Sequence, residues 1–171
     1  SGTVVKSYPG TGMPTHRLPT HGTRLVIEKD LWQEITAAHL LQPAKSALAS
    51  IERLLYSLFP TVSGPCDTQD FSSAVEVADD GNAYVYLYDT VYDGVDLTIG
   101  AFDRITDLID RSIERLTACS CASDEGCFRC IANPRAAEPS SKRITGLILS
   151  AVRTALQARP TITRSGEDVF A

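Results

Sequence analysis

The last third of the chain contains a cysteine cluster, Cys119-Ser120-Cys121-Ala122-Ser123-Asp124-Glu125-Gly126-Cys127-Phe128-Arg129-Cys130. It contains four of the five cysteines in the sequence. Four thiolates are the number of soft ligands that one tetrahedral Zn²⁺ takes, each sulfur lying about 2.3 Å from the ion. The pattern predicts a structural zinc knuckle, and its predicted ligands are Cys119, Cys121, Cys127 and Cys130.

The spacing of these cysteines favours convergence on one ion. Cys127 and Cys130 bracket two residues and follow Gly126, which suits a tight turn. Extended backbone at Cys119 and Cys121 would place both sulfurs on the same side of the chain. Four thiolates leave no open coordination position, which a catalytic zinc keeps for water or substrate. We therefore expect the metal to fold this segment and to do no chemistry.

Other uses of the cysteines remain open at this point. The thiols would form two disulfides in a secreted protein, stay reduced in a core, or hold an iron–sulfur cluster. We see no signal peptide in the sequence, and Cys66 makes the cysteine count odd, so disulfides are disfavoured. Cys66 has no His or Cys neighbour in the sequence and is expected to pack as a small hydrophobe.

Composition is typical of a single soluble domain. Hydrophobic residues make up 43% and charged residues 22% of the 171 residues, and no apolar run reaches the length of a membrane span. The formal net charge is −5. A nucleic-acid-binding domain usually carries an excess of Lys and Arg, so any contact with nucleic acid would need a local patch.

The remaining sequence alternates β-rich runs with helical patterns. The β-rich runs are 23–28, 73–77 and 83–88, and Asp79-Asp80-Gly81-Asn82 predicts a hairpin between the last two. The helical patterns are 30–59, 97–116 and 144–156. The first is predicted to break or kink at Pro43 and to end at Pro60 and Gly64-Pro65. Asp96 is the predicted cap of the second, Ser140 or Ser141 caps the third, and Pro160 stops the third.

These elements predict an α+β fold. We expect a small antiparallel sheet or hairpin packed by three to four helices, with the four-cysteine zinc knuckle between the last two helices. Residues 1–22 are expected to be an extended N-terminal segment, 23–160 a zinc-binding domain and 161–171 a polar tail. His16 and His21 are predicted in a solvated loop, and His39 in a core or half-buried position.

Two polar or aromatic surfaces have competing interpretations. Tyr84, Tyr86 and Tyr88 share one strand face, which would either stack bases or pack against a helix; the absence of interleaved basic residues favours packing. On the helix at 97–116, Arg111 is spaced for ion pairs with Asp107 and Glu114, which predicts a solvated face and no acid–base dyad.

Basic residues gather near the cysteines in an otherwise acidic chain. They are candidate nucleic-acid contacts, although a solvated surface explains them equally well: Arg129, Arg135, Lys142 and Arg143. The sequence contains no phosphate-binding loop, dinucleotide fingerprint, H-E-x-x-H motif or nucleophile elbow. We therefore predict no catalytic residues and no enzymatic activity for this chain alone.

Residues 66–130 resemble the C-terminal zinc-binding domain of MrfA-type superfamily 2 helicases, also found in bacterial anti-phage proteins. The resemblance rests on Cys66-Asp67 with Asp70, Tyr88-Asp89, the Gly94 turn and the cysteine pattern ending Gly126-Cys127-x-x-Cys130. The chain departs from the family in two places. The family's Gly-Gly-x-Gly turn is reduced to Gly94, with Asp93 and Asp96 in the other glycine positions, and Phe128 stands where a proline commonly follows the third cysteine.

The resemblance implies an accessory domain that binds structural Zn²⁺ and assists an ATP-dependent helicase in DNA repair or phage defence. The implied partners are helicase motor domains in the same or another chain, together with DNA and no membrane, in the cytoplasm. A structural module that docks partner proteins without touching nucleic acid is the alternative function.

Overall fold

The computed structural model describes residues 4–11, 19–38, 44–90, 97–132, 139–158 and 161–164. These residues form five strands: β1 Val4–Thr11, β2 Pro19–Ile27, β3 Phe71–Val77, β4 Ala83–Asp89 and β5 Thr161–Arg164. They form five helices: α1 Lys29–Ala38, α2 Ala44–Ser63, α3 Ile99–Asp103, α4 Ile105–Ala118 and α5 Lys142–Ala158. The predicted α+β class is confirmed, and the cysteine cluster lies between α4 and α5, the last two helices.

The strands form one sheet in the order β3-β4-β2-β1-β5. Neighbouring strands are antiparallel except for β1 and β5, which are parallel. The sheet is larger than the small sheet or hairpin that we expected, because segments assigned to an extended N-terminus and a polar tail supply β1 and β5. The β-branched Thr161-Ile162-Thr163 suits a strand but is too short to be recognised without its partner. The boundaries 1–22, 23–160 and 161–171 stay a prediction.

The core lies between one face of the sheet and the helices. Fully buried side chains come from both layers: Leu25, Ile27, Val85 and Leu87 from strands, and Leu48, Ile51, Leu108, Ile109, Ile148 and Leu149 from helices. The helical patterns predicted from the sequence supply most of these residues, because apolar positions recurring every three or four residues face one side. In the last helix Leu149 is buried, whereas Leu147, which the pattern placed on the apolar stripe, is 39% exposed. Burying them fixes α4 and α5 on either side of the cysteine cluster.

The long second helix ends just before Gly64-Pro65, as predicted, but not at Pro60. Residues 39–43, including His39 and Pro43, lie outside the described residues, and α1 and α2 flank them. The prediction that Pro60 ends the helix is wrong, because α2 continues through Ser63. Proline lacks one backbone donor but has a helix-compatible φ, so a last turn tolerates it. The chain leaves the helix at Gly64, which has a φ of 87°.

The helix predicted over 97–116 consists of two. It breaks at Arg104, whose φ of −114° and ψ of 16° separate α3 from α4. The predicted cap Asp96 and the Gly94 turn lie outside the described residues. Instead, the buried Asp89 at the end of β4 accepts hydrogen bonds from the backbone N–H of Leu97 (3.2 Å) and of Thr98 (2.8 Å). This long-range cap fixes α3 beside the sheet, whereas α4 packs with the other helices over the core.

The predicted β3–β4 hairpin is confirmed, and its tyrosine face is not part of the main core. Tyr84, Tyr86 and Tyr88 cluster with Ala74, and the Arg24 guanidinium lies 5.2 Å from the centre of the Tyr84 ring. The expectation that this face packs against a helix is wrong for the described residues, because their helices join the opposite face. Arg24 comes from the neighbouring strand β2, a basic partner that reading β4 alone could not find.

Candidate metal centre and the adjacent groove

The four cysteine sulfurs of the knuckle converge. All lie within 4.8 Å of one another, and no other group of metal-ligating side chains was found among the described residues. The Sγ atom of Cys119 lies 3.5 Å from that of Cys121 and 3.4 Å from that of Cys127. The Sγ atom of Cys130 lies 3.7 Å from that of Cys121 and 3.9 Å from that of Cys127. Sulfurs about 2.3 Å from a central ion at tetrahedral angles are separated by about 3.8 Å, so this donor set fits one Zn²⁺.

The turn that carries Cys127 and Cys130 depends on Gly126. Gly126 has a φ of 80°, a conformation that side chains disfavour. A Cβ atom there would lie 2.6 Å from Cγ1 of Ile131 and 3.0 Å from Sγ of Cys130. The backbone N–H of Cys127 donates to Sγ of Cys130 at 3.1 Å. The glycine predicted to permit the tight turn is thus required by both the backbone and the neighbouring sulfur.

Metal-free thiols at this spacing differ in how readily they ionise. Desolvation, followed by hydrogen bonds with Cys119 and Cys130, raises the pKa of the Cys121 thiol to about 11. A backbone hydrogen bond from Cys121, together with contacts to the Cys127 and Cys121 thiols, lowers the pKa of Cys119. Gathering four thiolates requires a compensating cation, which a divalent ion supplies.

Lys142, the first residue of α5, contacts the knuckle directly. Its Nζ atom donates to the carbonyl oxygens of Cys119 at 3.2 Å and Cys121 at 3.4 Å. It also lies 3.4 Å from Sγ of Cys121. Desolvation lowers the pKa of Lys142, but hydrogen bonding to Cys121 and attraction to the cysteine thiolates outweigh it, so the pKa is raised overall. The sequence marked this lysine as a candidate phosphate contact, but its ammonium group already hydrogen-bonds to the cysteine knuckle.

The knuckle also caps α5. The carboxylate of Asp124 accepts from the backbone N–H of Arg143 at 3.0 Å and from the Ser141 hydroxyl at 2.7 Å. Ser141 Oγ accepts from the N–H of Ile144 at 3.2 Å, which confirms Ser141 as the cap among the two serines considered. The carboxylate also places negative charge at the positive end of the helix dipole. The loop of the cysteine cluster is therefore joined to the start of the last helix by several hydrogen bonds.

The other basic candidates separate in the structure. Arg129 and Arg143 are exposed, whereas Arg135 lies outside the described residues. Arg129 is tied to α4, because the Arg115 Nη1 donates to its carbonyl oxygen at 3.0 Å. His16 also lies outside the described residues, and His21 belongs to β2 rather than to the loop that was expected. Cys66 packs against the core away from the cluster, as predicted for a small hydrophobe.

A groove of about 750 Å³ runs beside the knuckle. It lies between the end of α2, the last turns of α4 and the cysteines, and its charged lining residues are Arg111, Glu114, Arg115 and Arg129. The ion pairs predicted for Arg111 with Asp107 and Glu114 are absent among the described residues. Asp107 instead pairs with Arg104 at 3.0 Å, since the break between α3 and α4 turns Arg104 toward it. The sequence pattern placed Arg111 on a solvated face, because helix periodicity does not reveal a neighbouring loop.

The central part of the chain is similar to a known zinc-binding domain. The sequence model of the MrfA Zn-binding domain matches residues 51–131, which include all four clustered cysteines. A comparison with curated proteins gives no match. No helix in the described part of the chain is long and apolar enough to cross a membrane.

Two solved structures share the fold. The crystal structure of the DUF1998 helicase MrfA bound to DNA aligns with a TM-score of 0.58 and 20% identity, covering 78% of this chain and 17% of that one. The structure of MrfA bound to DNA and AMPPNP aligns with a TM-score of 0.50 and 22% identity, covering 80% and 16%. The chain thus spans about a sixth of the length of these helicases. The sequence match, the shared fold and the convergent cysteines agree: residues 51–131 are similar to the MrfA Zn-binding domain.

Proposed function

We propose that the chain is a zinc-binding accessory domain of an ATP-dependent superfamily 2 DNA helicase or translocase that acts in DNA repair or phage defence in the cytoplasm. The observation that carries the proposal is the convergence of four sulfurs in a fold shared with MrfA, whose structures contain DNA. The motor domains would belong to the same protein or to a partner.

In this proposal the zinc ligands are Cys119, Cys121, Cys127 and Cys130, and the metal has a structural role. Bound Zn²⁺ would supply a cross-link between the end of α4 and the loop that caps α5. Four thiolates complete its coordination, which leaves no position for substrate. The domain itself has no catalytic residue, and ATP hydrolysis falls to the motor domains.

The domain's contribution would be to hold a DNA-facing surface at a fixed distance from the motor. Arg129, Arg135 and Arg143 are the proposed phosphate contacts, since arginines neutralise backbone charge without reading sequence. Lys142 joins this set only indirectly, because its Nζ atom is already bound to the knuckle. The negative net charge of the whole chain confines DNA contact to this local surface.

The test is strand separation by the complete helicase, or by its motor together with this chain, with wild-type cysteines and with Cys127→Ser. We expect the variant to lose zinc and to unwind DNA more slowly, while its motor still hydrolyses ATP. Unchanged unwinding by a zinc-free variant would rule out a role for the metal centre in the helicase. Turnover of a nucleotide by this chain alone would contradict the accessory assignment.

The alternative, a protein-docking module without DNA contact, is favoured by the acidic balance and by exposed apolar side chains. Val77 is 37% exposed and Leu147 is 39% exposed, on the hairpin and on α5 respectively. A DNA titration across salt concentration separates the two functions. Absence of binding by the chain even at low salt, combined with retained binding to the motor, would establish the docking module.

A further inference from the structure

The most exposed large apolar side chain among the described residues lies on the knuckle itself. Phe128 is 76% exposed, between Cys127 and Arg129, which both line the groove beside the metal centre. Exposure on this scale discards the free energy that burial of an aromatic ring would otherwise contribute. The neighbouring Ile131 is buried in the core, so the turn presents one apolar side chain inward and the other outward.

The groove next to Phe128 has an excess of positive charge among its side chains. Arg111, Arg115 and Arg129 line this groove, and Arg111 makes no ion pair with a described residue. The Arg115 guanidinium donates to the backbone carbonyl of Arg129, which leaves the Arg129 side chain out of that hydrogen bond. Glu114 is the single carboxylate among the lining residues. The negative charge of the thiolates is partly offset by Lys142, which does not line this groove.

An exposed ring beside a guanidinium-lined groove has the chemistry of a single-strand binding site. Bases stack on aromatic side chains when they are not already stacked in a duplex, and arginines contact the phosphates that connect them. We infer that Phe128 and the groove formed by Arg111, Arg115 and Arg129 bind single-stranded nucleic acid, with Phe128 stacking on one base and the arginines contacting its backbone. The inference rests on the proposed function and extends its DNA-facing surface from Arg129, which both share, into the groove.

A protein partner would use the same ring differently. A docking surface would bury Phe128 against apolar side chains, and its affinity would depend weakly on salt. For single-stranded nucleic acid, the logarithm of the association constant should instead fall with the logarithm of the salt concentration, with a slope of about −0.7 per phosphate contact. Its binding would also require a base opposite the ring.

The test is a fluorescence-anisotropy titration of the full chain with labelled oligothymidylate, over a range of salt concentrations. We expect Phe128→Ala to weaken binding about tenfold and Phe128→Trp to preserve it, because one stacked base is lost in the first and kept in the second. Arg111→Gln with Arg129→Gln should lower the salt slope by about 1.4. Arg104→Gln is the matched control, since Arg104 is an exposed arginine near the start of α4 and outside the groove.

An abasic strand isolates the stacking contribution. The wild-type chain should bind it as weakly as Phe128→Ala binds oligothymidylate, and Phe128→Ala should lose nothing further. A loss on the abasic strand equal to that on oligothymidylate would overturn stacking. A parallel titration with oligouridylate determines whether the strand is DNA or RNA; tighter RNA binding would contradict DNA as the ligand of this surface.

The outcomes distinguish this inference from the proposed function. If the wild-type chain binds DNA and the Phe128 and groove variants bind equally well, the site assigned here is wrong and DNA contact lies elsewhere. If the wild-type chain binds no strand at low salt, direct DNA contact fails together with this site. If the variants instead no longer bind the motor domains but still bind DNA, the surface docks a protein.

Discussion

The Nζ atom of Lys142 lies 3.4 Å from Sγ of Cys121, so the first residue of α5 contributes a positive charge to the metal centre. The same ammonium hydrogen-bonds to the carbonyls of Cys119 and Cys121. A metal site of four thiolates has a net negative charge when it holds Zn²⁺, and a nearby ammonium reduces the electrostatic cost of that charge. Outer contacts of this kind alter metal affinity without touching the ion.

We expect Lys142→Met to weaken zinc binding about tenfold, within the range seen when outer-shell partners are removed. The methionine side chain keeps much of the apolar stem and removes the charge. Zinc transfer to a colorimetric chelator measures the effect. Arg143→Met is the matched control, because Arg143 is the exposed basic neighbour on the same helix turn. Equal zinc retention by both variants would show that the ammonium is irrelevant to the metal.

Cys127→Ser should abolish stoichiometric zinc binding and lower the melting temperature, because the knuckle loses one of its four thiolates and the cross-link between α4 and α5. The measurements are zinc content by mass spectrometry and thermal unfolding. Cys66→Ser provides the control, since Cys66 lies outside the cluster and packs against the core. Equal zinc loss from both variants would contradict the ligand assignment.

Two glycine substitutions should have opposite outcomes. Gly126→Ala forces a side chain into a φ of 80° and places Cβ 2.6 Å from Ile131, so we expect a loss of about 2 kcal/mol or more in the free energy of unfolding. Gly100→Ala meets nothing within 4 Å and should stabilise by up to about 1 kcal/mol through helix propensity. Denaturant titration of the zinc-loaded proteins compares them. A neutral Gly126→Ala would mean that the turn adopts another conformation.

Asp89→Ala should destabilise the chain by about 3 kcal/mol, because the buried carboxylate accepts three hydrogen bonds that Ala cannot. Two of these come from the backbone N–H groups of Leu97 and Thr98 and the third from the Thr98 hydroxyl. Asp89→Asn keeps the shape and one acceptor, and should lose less. Asp79→Ala, at an exposed hairpin position, controls for removal of a carboxylate. Equal unfolding midpoints for the Asp89 and Asp79 variants would refute the role of Asp89 as a cap.

Local patterns predicted the parts of the site that lie close together in sequence. The cysteine spacing identified the cluster and Gly126 identified its turn, since both signals span twelve residues or fewer. The hairpin between β3 and β4 was recognisable for the same reason. The Tyr88-Asp89 motif is recognisable in the sequence only through a family resemblance, and its structural role follows from the hydrogen bonds by which Asp89 caps α3.

Relationships between distant segments were beyond a local reading. The approach of Lys142 to Cys121 depends on how α5 packs against α4, so no pattern around Lys142 could separate a metal-contacting ammonium from a surface lysine. The groove arginines Arg111 and Arg129 come from a helix and a loop that meet only in the fold. The continuation of α2 past Pro60 shows a further limit, because packing of that last turn outweighs one missing backbone donor.

The pairing of β1 with β5 has a consequence for the order in which the chain folds. Val4 pairs with Thr161, so this contact joins residues separated by almost the whole sequence. Closing so long a loop is entropically costly and becomes favourable only after the intervening helices have docked. The edge strand β5 should therefore form last and exchange its amide hydrogens first. Because β5 follows α5, and α5 begins at the knuckle, amide exchange in β5 should respond to loss of the knuckle's contacts with α5.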